Sequence, residues 1–227
     1  MNTMTRRMAI VAIAASPLVL AACNDDDDNL TGPSTGMAMV RVAHLSPDAP
    51  AVDVYVNGSR ALSGVPYKDI SNYLPVPSGS VNFKVTPANA ATPVVIDATV
   101  NLNDGGNYPV AATGFLAGIQ PLLLEDDRGT SGQAKVRFVH TGPDAPAVDV
   151  AVTGGPVLFS NVPFRQATGY PQVAPGTYDL EVRVAGSSTV ARAVRGVSLR
   201  SGTNSSIFAV GLRSYRTLAA LPVVDAP

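Results

Sequence analysis

Tryptophan is absent from the chain, cysteine occurs once and histidine twice in 227 residues. A single cysteine leaves no partner for an intramolecular disulfide, so the apolar core alone must hold the fold. The Cys–Trp–Cys core of an antibody domain is equally impossible. Charge is scarce: Asp, Glu, Lys and Arg make up 15 % of the residues and the formal net charge is −1. That balance excludes the basic stripe that marks a nucleic-acid surface. Beyond the N-terminus no sustained 3.6-residue period argues for a long amphipathic helix. Plentiful instead are apolar residues, at 46 %, with Gly 20 and Pro 19 as punctuation. Many short strands joined by tight turns produce that composition.

The N-terminus stands apart from this pattern. Arg6 and Arg7 precede an apolar stretch, Met8 to Leu20, that is too short to span a bilayer comfortably. It ends in Leu20-Ala21-Ala22-Cys23. Residues 1–22 thus have the shape of a secretory signal, and the Leu-Ala-Ala-Cys ending resembles a bacterial lipobox. The resemblance implies that Cys23 is lipid-modified and becomes the first residue of the mature chain. The expected address is therefore outside the cytoplasm, anchored to the cell membrane or outer membrane. Residues 23–36 read as an acidic tether. The run Asp25 to Asp28 repels itself, and Gly32, Pro33, Ser34 and Gly36 prevent regular structure.

The rest of the chain is one unit written twice. The first copy opens Val40-Arg41-Val42-Ala43-His44-Leu45-Ser46-Pro47-Asp48-Ala49-Pro50-Ala51-Val52-Asp53-Val54. The second opens Val136-Arg137-Phe138-Val139-His140-Thr141-Gly142-Pro143-Asp144-Ala145-Pro146-Ala147-Val148-Asp149-Val150. Val65-Pro66-Tyr67 and Val162-Pro163-Phe164 continue the match, as do Tyr73 with Tyr170 and Gly114 with Gly211. A period of about 96 residues exceeds the ~20–50 of a solenoid repeat and suits a small domain. The expected organisation is a first domain over 37–128, a linker over 129–132 and a second domain over 133–227. The polar run from Glu125 to Gly132 reads as a flexible joint.

Apolar and polar residues alternate with period two within each copy, and Asn57-Gly58 signals a type I′ hairpin. Strands are predicted over 52–56, 80–86, 94–102, 107–113 and 118–124, and over 177–185, 190–199, 205–210 and 217–224. This density predicts an all-β fold of two tandem antiparallel β-sandwiches. The paired H-x-x-P-D-A-P-x-V-D-V openings, each followed by a Val-Pro-aromatic turn, resemble the DUF4397 family. The resemblance covers residues 37 to 227. It implies an immunoglobulin-like sandwich in exported bacterial proteins and supplies no reaction.

The motif admits two readings. In the structural one, Pro47 and Pro50 set a turn, Asp48 accepts nearby backbone N–H groups, and a carboxylate at Asp48 or Asp53 fixes the His44 tautomer. Its second copy is His140, Asp144 and Asp149. In the chemical one, each His with its two Asp residues is a divalent-metal site. Nucleophilic catalysis is disfavoured, because Ser46 is replaced by Gly142 in the second copy, so no enzyme activity is expected and no cofactor is implied. Tyr55, Tyr67, Tyr73, Phe164 and Tyr170 are candidates for a sugar-stacking platform. Arg183, Arg192, Arg195, Arg200, Arg213 and Arg216 are candidates for a basic face toward an anionic glycan or lipid headgroup. The sequence therefore points to an envelope lipoprotein that binds or scaffolds an envelope protein or glycan, with adhesive or metal-binding modules as alternatives.

Overall fold

The computed structural model describes residues 36–129, 131–214 and 216–225. The leader, Cys23 and residues 24–35 of the tether lie outside the described residues. The first copy forms eight strands: β1 (Met37–Leu45), β2 (Val52–Val56), β3 (Ser59–Val65), β4 (Leu74–Pro77), β5 (Gly79–Pro87), β6 (Ile96–Leu102), β7 (Asn107–Thr113) and β8 (Gln120–Leu123). The second repeats them as β9 (Ala134–His140), β10 (Val148–Val152), β11 (Val157–Val162), β12 (Gln172–Val173), β13 (Gly176–Val184), β14 (Val190–Leu199), β15 (Asn204–Val210) and β16 (Ala219–Val224). Among the described residues no α-helix occurs; one short 3-10 turn covers Leu116–Gly118.

Each copy is a sandwich of two four-stranded sheets, ordered β4-β1-β7-β8 and β3-β2-β5-β6, then β12-β9-β15-β16 and β11-β10-β13-β14. The alternation in the sequence becomes the two faces of each strand. Val40 and Val42 of β1 face Val54, Phe83 and Val85 across one sandwich. Val136 and Phe138 face Val150, Phe159 and Leu180 across the other. Asn57 (φ 48) and Gly58 (φ 81) both take the positive φ of a type I′ turn.

Pairing departs from the antiparallel expectation at one place in each copy. β1 runs parallel to β7, and β9 parallel to β15. The chain crosses to the opposite sheet and back between these strands, so they meet in the same direction. Period-two alternation reports which face a residue lies on, not which way its neighbour runs.

The two sandwiches also pack on each other and form one compact unit. Ala43, Leu45, Ala111 and Leu124 of the first meet Val139, Phe208 and Val210 of the second in a shared core. Hence every residue of β7 and of β15 is buried, with one face inside its sandwich and the other against the partner sandwich. The joint is part of this packing. Asp126, expected in a flexible segment, is buried. Lys135 Nζ donates to the Asp127 carboxylate at 2.7 Å and to the Gly129 carbonyl at 2.9 Å.

Candidate functional site

The motif corner begins where β1 ends. His44 is fully buried, at 0 % exposure. Its Nε2 lies 2.9 Å from the Pro50 carbonyl oxygen, and its Nδ1 lies 3.5 Å from the Ser46 N–H. An imidazole donating from Nε2 and accepting at Nδ1 is the neutral tautomer that satisfies both. His140 repeats the arrangement, with Pro146 O at 3.0 Å and Gly142 N at 3.2 Å. Burial pushes both pKa values down, partly offset by the Pro50 and Pro146 carbonyls. The tautomer is therefore set by a backbone carbonyl, not by a carboxylate as the spacing suggested. The proline that ends the turn leaves its carbonyl pointing back at the ring.

The motif carboxylates work elsewhere. Asp48 Oδ1 accepts the Leu116 N–H at 2.7 Å, which fastens the corner to the loop between β7 and β8. Asp144 does the same for the loop between β15 and β16. It accepts the N–H groups of Arg213 at 2.7 Å and Ser214 at 2.8 Å, and the Ser214 hydroxyl at 2.6 Å. Burial opposes ionisation of Asp144, but these donors outweigh it and hold its pKa below the usual carboxylate range. Asp53 accepts the Gly64 N–H at 2.8 Å, the Asn89 N–H at 3.2 Å and the Ser63 hydroxyl at 3.1 Å. The Gly64 bond is the chief reason its pKa is depressed. Asp149 accepts Asn161 N–H at 2.7 Å and Gly186 N–H at 2.9 Å. Among the described residues no three His, Cys, Asp or Glu side chains converge as metal ligands. The imidazoles and carboxylates of the motif each hold a different piece of backbone.

The candidate aromatics do not assemble into one platform. Tyr67 and Phe164 stand edge-on to His44 and His140, with ring centroids 6.2 and 6.3 Å apart. Tyr73 and Tyr170 lie between the sandwiches under Arg41 and Arg137, whose guanidinium carbons sit 4.9 and 4.8 Å from the ring centres. Tyr55 alone lies on an outer face, in an open groove of about 270 Å³ with Lys84 and Thr86.

Between the sandwiches the sequence hid a buried charge cluster. Arg41, Arg137, Asp126 and Asp225 are each 5 % exposed or less. Arg41 bonds Asp225, Arg137 bonds Asp126, and Tyr73 donates to Asp126. Tyr170 donates to Asp225 at 2.7 Å. Burial raises the Asp225 pKa, and Asp126 adds to the rise. Burial likewise raises both tyrosines. These residues are equivalent in the two copies: the Asp126 N–H bonds Asn107 O, and the Asp225 N–H bonds Asn204 O. The only sequence signal was Arg41 and Arg137 at matching positions of two otherwise apolar strands.

The candidate arginines separate into different roles. Arg183 pairs with Glu181 at 2.7 Å. Arg192, Arg213 and Arg216 line one groove of about 360 Å³ beside the β15–β16 loop, with Val184 and Leu218 among its walls.

Fold and site together define a protein of two fused β-sandwiches, each with a motif-fastened loop at one end. The chain matches the family described as Domain of unknown function (DUF4397) over residues 38–151 and 134–227, and it belongs to that family. No curated protein matches it. Among solved structures it is similar to a carbohydrate-binding module, CBMbc of family CBM26 from Eubacterium rectale, solved in complex with maltoheptaose. The identity is 11 %, the match covers 84 % of this chain and 98 % of that one, and the TM-score is 0.27.

Proposed function

We propose that the protein is an exported, lipid-anchored, non-catalytic binding protein whose ligand-facing surface is the loop end of its two sandwiches. The observation that carries this reading is the use of the motif. Asp48 and Asp144 fasten equivalent loops, yet those loops present unlike chemistry. The first offers Phe115 and Leu116, 40 % and 37 % exposed. The second offers Arg213 and Arg216. A conserved-geometry frame under divergent loops is how binding surfaces are built on rigid scaffolds.

The direction of the strands supports display. β1 starts at Met37 and runs to the His44 corner, so the chain enters at the end opposite the first loop. Both loops share an end: the Arg165 N–H bonds His140 O, and its guanidinium bonds the Thr113 carbonyl at 3.0 Å. Engagement of both imidazole nitrogens by backbone supports a non-catalytic role. Crosslinking of the intact lipoprotein in its native cells tests the reading. A recurrent protein or an envelope polysaccharide attached near Phe115 or Arg213 is the expected result. Recovery of the chain alone at every crosslinker length would reject it.

A second reading is carried by Tyr55. Its groove with Lys84 and Thr86 offers one aromatic face and polar neighbours, the composition of a sugar subsite. Tyrosine fluorescence that responds to an envelope sugar, and no longer responds in Tyr55→Ala, would establish it.

A further inference from the structure

The groove on the second sandwich carries an inference that rests on the binding reading and gives it a ligand class. We propose that Arg192, Arg213 and Arg216 form a binding site for a phosphoryl group carried on a small organic body.

Two elements supply the three arginines. Arg192 comes from β14, where it pairs with Val182. Arg213 and Arg216 come from the β15–β16 loop. All three are exposed. Among the described residues none of them has an ion-pair partner, while every ion pair recorded elsewhere joins other groups. Three unneutralised guanidiniums around one concavity repel one another and focus a positive field there. A dianionic group relieves that repulsion, and each guanidinium fork matches two phosphate oxygens.

The carboxylate that fastens this loop has no recorded ion pair with these arginines. Asp144 is saturated by the Arg213 and Ser214 N–H groups and the Ser214 hydroxyl. It holds the backbone that presents Arg213. Val184, Ala191 and Leu218 line the groove and also a small cavity that reaches His140, so the site rests on the second motif corner. At about 360 Å³ the groove has room for more than a bare ion, and it falls in the range of small-ligand pockets, roughly 300–1,000 Å³. Its apolar walls suit the body that carries the charge.

The first sandwich supplies a built-in comparison. The residue whose N–H is held by Asp48, where Asp144 holds Arg213, is Leu116. The partner of Val85, which corresponds to Val182, is Ile96 instead of Arg192. Three residues separate Leu116 from Gln120, the start of β8, whereas five separate Arg213 from Ala219, the start of β16. Arg216 lies in that longer loop. The same frame thus carries these three cations and a longer loop in the second copy alone.

The test uses the full chain carrying Cys23→Ser, which prevents lipidation. Glucose 6-phosphate, glucose and inorganic phosphate are titrated calorimetrically at low and high salt. The chain is also sedimented with phosphatidylglycerol and phosphatidylcholine vesicles. Binding of glucose 6-phosphate but not glucose, weakened by salt and at least tenfold weaker in R192Q/R213Q/R216Q, is the expected result. R195Q/R200Q, which changes Arg195 of β14 and Arg200 just after it, both outside the groove, should bind like the parent. Retention on phosphatidylglycerol vesicles alone, lost in the triple variant, also supports the site and assigns the phosphate to a lipid headgroup. No binding of any phosphate probe, or equal binding by the triple variant with an unchanged melt, overturns it. Crosslinking in native cells separates this failure from that of the binding reading: a partner still captured by the triple variant leaves the latter standing.

Discussion

At the residue scale, the two histidines are the parts of the motif whose chemistry can be followed in solution. Each is neutral because it is buried and because both ring nitrogens already have backbone partners. Their folded pKa values lie below the ordinary value near 6.5, so the unfolded chain takes up protons before the folded chain does. Stability is then fully present above about pH 6.5 and falls as pH drops below it, by at most about 1.4 kcal/mol per pH unit for each histidine. Asp225 acts with the opposite sign, since its raised pKa makes the folded state the better proton acceptor as pH falls. Comparing wild type with H44Q/H140Q isolates the imidazoles, because a glutamine amide can still donate to the Pro50 and Pro146 carbonyls. Urea unfolding at pH 7.5 and 5.5 should show a smaller loss of stability in the variant; equal losses would contradict the neutral assignment. The sequence disclosed that these histidines stand at matching places in the repeated motif. It did not disclose their partners, because the acceptor is a carbonyl six residues on, and backbone carbonyls leave no mark in a sequence.

At the scale of elements, the carboxylates of the motif should differ in cost. Asp48 accepts one loop N–H, whereas Asp144 accepts two and a hydroxyl. Asp144→Ala should therefore destabilise more than Asp48→Ala, with about 1–3 kcal/mol for the former and about 1 kcal/mol or less for the latter. Denaturant midpoints at constant slope would check this, and the reverse order would mean that the loops are held by something else. In Asp144→Ala the Arg213 backbone loses its fastening, so the phosphate response should weaken together with stability. Alternation made β5 and β13 legible within a residue or two, and β7 and β15 were legible to the same margin as short runs between turn residues. β4 and β12 were not: β12 has two residues, and β4 carries Pro75 and Pro77, so neither shows a period. Both exist because β1 and β9 offer an open edge for them to pair with.

At the scale of the whole molecule, the repeated unit behaves as two halves of an isologous interface joined in one chain. Matching strands, matching arginines and matching aspartates face one another across it. Apolar packing gives this contact its strength. Phe208 is fully buried in the shared core, and Phe208→Ala should cost about 3–5 kcal/mol and lower the melting temperature of the chain as one transition. A separate early transition would show that the sandwiches unfold independently. None of this was legible in the sequence, where a polar joint reads as flexible whether or not one of its residues points inward.

The buried charges decide whether that interface tolerates change. Arg137 bonds Asp126, the Ser206 hydroxyl at 2.7 Å and the Glu125 carbonyl at 2.9 Å. Arg41 bonds Asp225 and lies 3.9 Å from Asp126. Asp126→Ala removes the carboxylate between two guanidiniums and leaves an uncompensated positive charge out of water, which costs about 3–5 kcal/mol. Removing both members of a pair is different, because no charge is then stranded. Arg137→Met with Asp126→Leu leaves Arg41 balanced by Asp225 and replaces polar volume with apolar volume. The double variant should therefore be more stable than Asp126→Ala alone, by about 2 kcal/mol or more, although it changes more atoms. Urea unfolding of the wild type, the single variants Asp126→Leu and Arg137→Met and the double variant closes the cycle, with Asp126→Ala measured beside them. If the double variant is the least stable of the four, the cluster contributes through its hydrogen bonds to Tyr73, Tyr170 and Ser206 instead of through charge balance.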